Sequence, residues 1–367
     1  MKKLFLMISI IFLCGALMAL NPLTTNGSGE EEPAGHNLLT FVVPFEAGGG
    51  TDIFGRFFTP YFSDQLEGNP LVQVENIPGG ASITGTNEYA QAKPKDGSHL
   101  LTSSASSHIP YMLDQSSVDY DFKGMKPIIG SPMGGVVYST PEKAEQFKED
   151  LTSFEEPLYY AGISPSGLDL VTLLSYEVLD LNFHGVLGYG GRGPSRVAFE
   201  QGESNLDYQT TSAYNNNVKP LVENGTAEPL YSLGQIDENG NLVRDPQFPE
   251  LPTVEEVYID QYGEAPTGEV WEAYKQMVNA AYTLNKVIWV HEDAPVESIA
   301  RLQDGAEGIK QDADFIENAE VVLEGYEVLT GDALQKQIDE AFNVSDSSKN
   351  LIQAYLLEKY DLDITEL

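Results

Sequence analysis

The residue types best suited to chemistry gather in one glycine-rich turn, Phe45-Glu46-Ala47-Gly48-Gly49-Gly50-Thr51-Asp52, between an apolar run and a helical pattern. Glycines let backbone N–H groups approach an anion, and the N-terminus of the following helix adds partial positive charge. The turn is a candidate carboxylate cradle through Gly48, Gly49, Gly50 and Thr51, with Gly49 as the position expected to need positive φ. The alternative is a tight strand-to-helix turn without a ligand. Asp52 reads first as an N-cap and second as a ligand contact, and Arg56 as a structural ion-pair partner. A hydroxyl-rich loop, Ser103-Ser104-Ala105-Ser106-Ser107, follows a predicted strand, where α/β clefts bind ligands.

Other patterns lead to weaker chemistry. Gly188-Tyr189-Gly190-Gly191-Arg192-Gly193 matches a dinucleotide fingerprint with Asp207 downstream, yet Pro194 follows at once and the unit sits in mid-chain. Arg192 has two readings, a cleft cation that meets a carboxylate or a surface arginine. His36, His99, His108, His184 and His291 show no zinc-ligand spacing. Asp237, Asn239 and Asn241 resemble a calcium loop, but Phe248 stands where the closing Glu belongs. Gly162-Ile163-Ser164 lacks the spacing of a nucleophile elbow. No catalytic residue, metal or cofactor is expected.

The elements that must position these loops alternate between strand and helix, as in an α/β sheet architecture with parallel strands. Leu39–Val43, Leu71–Glu75 and His99–Thr102 read as strands. A helix follows the glycine turn, capped by Thr51 or Asp52, with Ile53, Phe54, Phe57, Phe58 and Phe62 at helical spacing and Pro60 expected to kink or shorten it. A second helix spans about Ser82 to Ala92. The apolar segment Pro127–Tyr138, broken by Gly130, Gly134 and Gly135, suits a crossing between domains. Tyr159–Gly162, Val186–Tyr189 and Leu206–Gln209 read as strands beyond it, Asn239-Gly240 as a hairpin turn, and Val287–Val290 as the return.

The chain has 367 residues, with 20 Lys and Arg against 56 Asp and Glu and a net charge of −36. Such a surface makes nucleic acid and anionic membranes poor partners and suits saline surroundings. Lys2 and Lys3 precede an apolar run, Leu4–Leu20, that ends in small residues, the layout of a secretory signal cleaved after Ala19. The sole cysteine, Cys14, lies inside that run, so removal of the signal leaves no thiol; a retained anchor and lipidation are the alternatives. A soluble, extracytoplasmic monomer is expected, with residues 20–37 as a flexible tether.

Six landmarks in order carry a family resemblance: Val43–Asp52 with Arg56; Val74-Glu75-Asn76-Ile77-Pro78-Gly79-Gly80-Ala81; Lys95-Asp96-Gly97; Gly188–Gly191; Leu251-Pro252-Thr253-Val254-Glu255-Glu256; and Ala294-Pro295. On these the chain resembles the substrate-binding subunits of tripartite tricarboxylate transporters, the Bug family. The resemblance implies a type II periplasmic binding fold, two α/β domains closing over a ligand cleft. The domains would be 38–134 with 283–367, and 135–282. It further implies capture of a small di- or tricarboxylate or aromatic acid and delivery to the membrane subunits of a secondary transporter. A receptor presenting ligand to a sensor kinase, or a secreted enzyme, are the alternatives. Besides the turn and the serine loop, the implied ligand-binding positions are Phe45, Ala47, Ser164, Ser166, Gly167, Tyr189, Gly190, Thr211 and Ser212. The stretch Gly162–Asp169 departs from the family in lacking a nearby histidine.

Overall fold

The computed structural model describes residues Asn37–Glu366; the expected leader, 1–19, and the tether up to residue 36 lie outside them. Twelve strands are present among the described residues: β1 Leu38–Val43, β2 Leu71–Asn76, β3 His99–Ser104, β4 Met125–Ser131, β5 Gly135–Ser139, β6 Leu158–Ala161, β7 Phe183–Val186, β8 Leu206–Thr210, β9 Glu228–Ser232, β10 Gln235–Ile236, β11 Leu242–Val243 and β12 Lys286–His291. They form two five-stranded sheets, ordered β2-β1-β3-β12-β4 and β7-β6-β8-β5-β9, and the hairpin β10-β11. Helices cover the sheets, giving the two-lobed α/β architecture of type II periplasmic binding proteins.

The sheets are mixed, whereas the sequence pattern pointed to parallel ones. In the first, β12 runs antiparallel to β3 and β4; in the second, β5 runs antiparallel to β8 and β9. Both are the strands that arrive from the other lobe. Parallel strands deliver their C-terminal ends to the cleft, so a strand that enters from the cleft must run the opposite way. The apolar run Pro127–Tyr138 thus resolves into β4 and β5, one in each sheet. The third second-lobe strand lies at Phe183–Val186 rather than Val186–Tyr189, which leaves Leu187–Gly191 free as a loop.

The helix after the glycine turn spans Gly50–Gln65 and runs through Pro60. Proline deprives the Arg56 carbonyl of its helical donor, and the Thr59 hydroxyl donates to that carbonyl instead at 2.9 Å. Phe54, Phe58 and Phe62 pack into the first-lobe core with Phe41, Ile288 and Phe315. Ile53, on the opposite face, is half exposed and borders the cleft.

The last helix, Asp346–Tyr360, packs on the core of the second lobe. Its Ile352 and Leu356 share the core of Leu174 and Trp271 in the second. Lys349 pairs with Asp114 at 2.7 Å, and Gln353 donates to the carbonyl of Leu113, a residue of that same core, at 2.9 Å. Its sequence position after the first-lobe strand β12 had suggested the first lobe alone. Amphipathic periodicity shows that a face is buried and not against what.

Candidate functional site

A cleft of about 900 Å³ lies between the lobes, at the C-terminal ends of β1, β3, β4 and β8. Its first-lobe wall begins with the glycine turn. Gly48 takes φ +83, while Gly49 is the N-cap at φ −77, so positive φ falls one residue earlier than the sequence suggested. The cap is therefore neither Thr51 nor Asp52. Asp52 sits inside the first helical turn and reaches back: its carboxylate accepts from Gly48 N, Asn76 Nδ2 and Arg56 Nε, each at 2.8 Å. Burial raises its pKa, but these bonds and the Arg56 charge outweigh burial and hold it below the ordinary value. The carboxylate fixes the turn from behind, while the first N–H groups of the helix, which have no intrahelical acceptor, lie at the cleft wall.

Gly48 and Gly49 can be told apart by substitution. Gly48→Val puts a β-branched residue in the left-handed region and is expected to cost about 1–3 kcal/mol. Gly49→Ala, at ordinary φ with only the Glu46 carbonyl 3.4 Å from the added carbon, should be close to neutral. Chemical denaturation of both variants checks this; equal losses would show that the turn differs from this geometry.

The next wall segment, Pro78–Ser82, is strained. Gly79, Gly80, Ala81 and Ser82 all have positive φ, and the last two are not glycine. Such strain persists only where the surroundings enforce it, commonly at ligand sites. In the serine loop the structure divides the candidates. Ser104 and Ser106 line the cleft, whereas Ser103 and Ala105 are fully buried. Ser103 Oγ bonds His108 Nε2 and accepts from Trp289 Nε1, both at 2.7 Å. His108, enclosed by Phe122 and Phe342, has its pKa pushed down to about 3 by burial. This Ser–His contact has no access to substrate and is structural.

The second-lobe wall repeats the device of Asp52. Asp169 accepts from the N–H groups of Ile163 at 3.0 Å and Ser164 at 3.1 Å, and from the Tyr160 hydroxyl. Arg192 Nη2 lies 2.9 Å from Asp169 Oδ1, Arg192 Nη1 lies 3.6 Å from Asp207, and the guanidinium stacks 4.6 Å from the Tyr208 ring centre. Arg192 is thus a mostly buried cation at the cleft wall, committed to two internal carboxylates. Asp207 also accepts from Tyr138 at 2.5 Å, and burial pushes its pKa up to about 6 against the lowering effects of Arg192 and Tyr138. Being so occupied, it cannot take the ribose role that the glycine pattern before it would require.

Of the expected ligand-binding positions, Phe45, Gly48, Gly49, Gly50, Thr51, Ser104, Ser106, Ser164, Gly167, Tyr189, Gly190 and Ser212 come together on the cleft. Ala47, Asp52, Ser103, Ala105, Ser166 and Thr211 do not border it. Thr211 is buried, accepting from Gly134 N at 3.1 Å and bonding the Tyr326 hydroxyl at 3.1 Å. Tyr326 in turn donates to Asp245 at 2.7 Å, so a first-lobe turn grips the second lobe across the cleft.

Sequence reasoning missed Lys286, Glu324, Tyr326, Ser131 and the π-turn residues Asn216 and Asn217, all of which line the cleft. None carries a local motif. A lysine directly before the predicted return strand Val287–Val290 was the available signal.

No family model matches the chain. Protein BugT of Bordetella pertussis is 23% identical over 273 residues, covering 71% of this chain and 77% of BugT. The structure of the periplasmic binding protein BugD aligns over 86% of this chain and 96% of its own, with a TM-score of 0.60 and 21% identity. MatC from Rhodopseudomonas palustris with bound malate aligns with a TM-score of 0.58 and 18% identity over 88% and 98%. An R. palustris protein with adipate aligns with a TM-score of 0.61 and 18% identity over 88% and 96%. The chain is thus similar in sequence to BugT, and it shares the fold of the periplasmic binding protein BugD.

Proposed function

We propose that the protein is an extracytoplasmic receptor that captures a small carboxylate between its lobes and delivers it to the membrane subunits of a tripartite tricarboxylate-type transporter. The observation that carries this reading is the convergence on one cleft of a helix N-terminus, a hydroxyl-bearing strand end and a basic side chain, Lys286. Each favours an anion, and apart from the few carboxylates on its wall the chain's negative charge acts on the cleft from distances that salt screens over about 8 Å. MatC and the R. palustris relative, with malate and adipate, have the same fold. The leader-like residues 1–19 fit export, and cleavage would leave 20–37 as the tether between membrane and lobes.

A panel of mono-, di- and tricarboxylates and aromatic acids, screened by thermal shift and calorimetry, tests the receptor role. A true ligand at a hundredfold its Kd adds about 2.7 kcal/mol of stability. It should also reduce the radius of gyration as the lobes close. No stabilisation by any carboxylate would reject the reading. Co-purification of the ligand-loaded protein with the transporter's membrane subunits tests delivery.

A further inference from the structure

Three charged side chains meet behind the second-lobe wall of the cleft, and their charges do not cancel. Asp169 and Asp207, 3% and 0% exposed, face a single guanidinium, that of Arg192, which is 14% exposed. With both carboxylates ionised the cluster carries one surplus negative charge in a setting that solvates it poorly. A buried group so placed takes up a proton in preference to staying charged.

The geometry selects the carboxylate. Asp169 is engaged on both oxygens: it accepts from the Tyr160 hydroxyl and from the N–H groups of Ile163 and Ser164, and Arg192 Nη2 lies 2.9 Å from its Oδ1. Asp207 is engaged on one. Its Oδ2 accepts from Tyr138 at 2.5 Å and from Gln209 Nε2 at 3.0 Å. Its Oδ1 accepts no hydrogen bond among the described residues, and Arg192 Nη1 stands 3.6 Å away, beyond hydrogen-bond length. The other titratable and charged groups packed around it supply no further cation. They are Tyr138 of β5, Tyr160 of β6, Tyr208 of β8 itself, Tyr176 of the helix Asp169–Val178, and Tyr282 beyond Tyr208. Arg196, on the helix Arg192–Glu200, is paired with Glu200.

Arg192, Asp169 and Tyr208 all line the cleft, so the net charge of the cluster is felt there. When Asp207 is ionised, an anion in the cleft meets surplus negative charge. When Asp207 is protonated, it meets a balanced cluster whose most exposed member is the cation. We propose that the Asp207 carboxyl is a proton-binding site coupled to the cleft, so that capture of an anion and uptake of a proton favour each other. Linkage makes the effect reciprocal: the protein holds an anion more tightly as pH falls from about 8 to about 6, and a bound anion makes Asp207 harder to ionise.

The coupling rests on the carboxylate-receptor reading, whereas the proton site is observable without a ligand. In protein carrying carbon-13 at its aspartate carboxyls, the resonance missing from Asp207→Asn should titrate in the ligand-free wild type with a midpoint near 6. Asparagine keeps an acceptor for Tyr138 and removes the charge. Tyr138→Phe withdraws a donor from the ionised form and should move the midpoint up; if Asp207→Asn does not fold by circular dichroism, the resonance displaced in Tyr138→Phe identifies Asp207. Saturation with malate or adipate should raise the midpoint by about half a pH unit or more. Calorimetry should correspondingly find either acid bound at least about twofold tighter at pH 6 than at pH 8, relative to Asp207→Asn. That comparison cancels the ionisation of the acids themselves and of Lys286 and Glu324 at the cleft, which both proteins share. A resonance that does not titrate between about pH 4.5 and pH 8 overturns the proton site and the coupling together. A midpoint unmoved by bound malate or adipate, with the same pH dependence of affinity in wild type and variant, overturns the coupling. If no carboxylate binds at all, the receptor reading falls and the coupling with it, while the titration of Asp207 still decides the proton site.

Discussion

Replacement of Arg192 by methionine is expected to cost about 3–5 kcal/mol of folding stability, because it leaves two buried carboxylates facing one another without their cation. Asp169 and Asp207 have almost no exposed side-chain surface, and Arg192 little. The tyrosines around them, Tyr138, Tyr160, Tyr176 and Tyr208, offer hydroxyls and rings but no positive charge. The deficit should depend on pH in a definite direction. Asp207 has a folded pKa near 6, above its ordinary 3.8. Its contribution to stability is therefore fully present below about pH 4 and is lost as pH rises through 6. Without Arg192 the folded pKa climbs further, so that loss extends to higher pH. The variant's deficit should accordingly be smaller at pH 5 than at pH 8. Urea melts of both proteins at the two pH values measure it. A deficit under 1 kcal/mol, or one that grows on acidification, would show that the cluster is not the buried ionic network seen here.

Gly134→Ala should be comparably disruptive, for a steric reason. A methyl at this position would collide with the Asp245 carboxylate, the Tyr326 hydroxyl and the Thr211 hydroxyl. These groups are bonded to one another, and Gly134 N itself donates to Thr211. None can withdraw without stranding another, so a loss above about 3 kcal/mol or failure to fold is expected. Tyr326→Phe isolates the hydrogen bonds from the clash. It should cost about 1–3 kcal/mol, the penalty for leaving a buried acceptor without its donor, and should enlarge the radius of gyration of the ligand-free protein by loosening the contact between lobes. Scattering profiles identical to wild type would mean that Tyr326 does not hold the lobes together. Near-normal stability of Gly134→Ala would show that the crossing is more open than this structure has it.

Much of the architecture was legible because it is written in short-range rules. The strands at Leu38–Val43, Leu71–Asn76 and His99–Ser104 are apolar runs bounded by turn residues, and Asn239-Gly240 marks its hairpin. The glycine turn was legible as a strand-to-helix connection by composition alone, and six landmarks in order carried the resemblance to BugT and its relatives. Strand direction was not legible. An antiparallel β12 differs from a parallel one in the end from which the chain arrives, which only the two crossings determine.

The site shows the same division more sharply. Glycine and serine loops at strand ends were predictable, since the chemistry of a turn resides in neighbouring residues. Whether a given hydroxyl faces the cleft or the core was decided by tertiary packing. Ser103 and Ser104 are adjacent, yet Trp289 and His108 claim the first, while the second stands beside Lys286 at the cleft. Lys286, Glu324 and Tyr326 meet the glycine turn only because β12 inserts between β3 and β4 and the turn after Val322 folds back over the crossing. Arg192 could have been a ligand-binding cation or a surface residue on its sequence alone. Two aspartates from distant segments hold it at the cleft wall, because a buried guanidinium must have its charge balanced, and the fold supplies that balance from within.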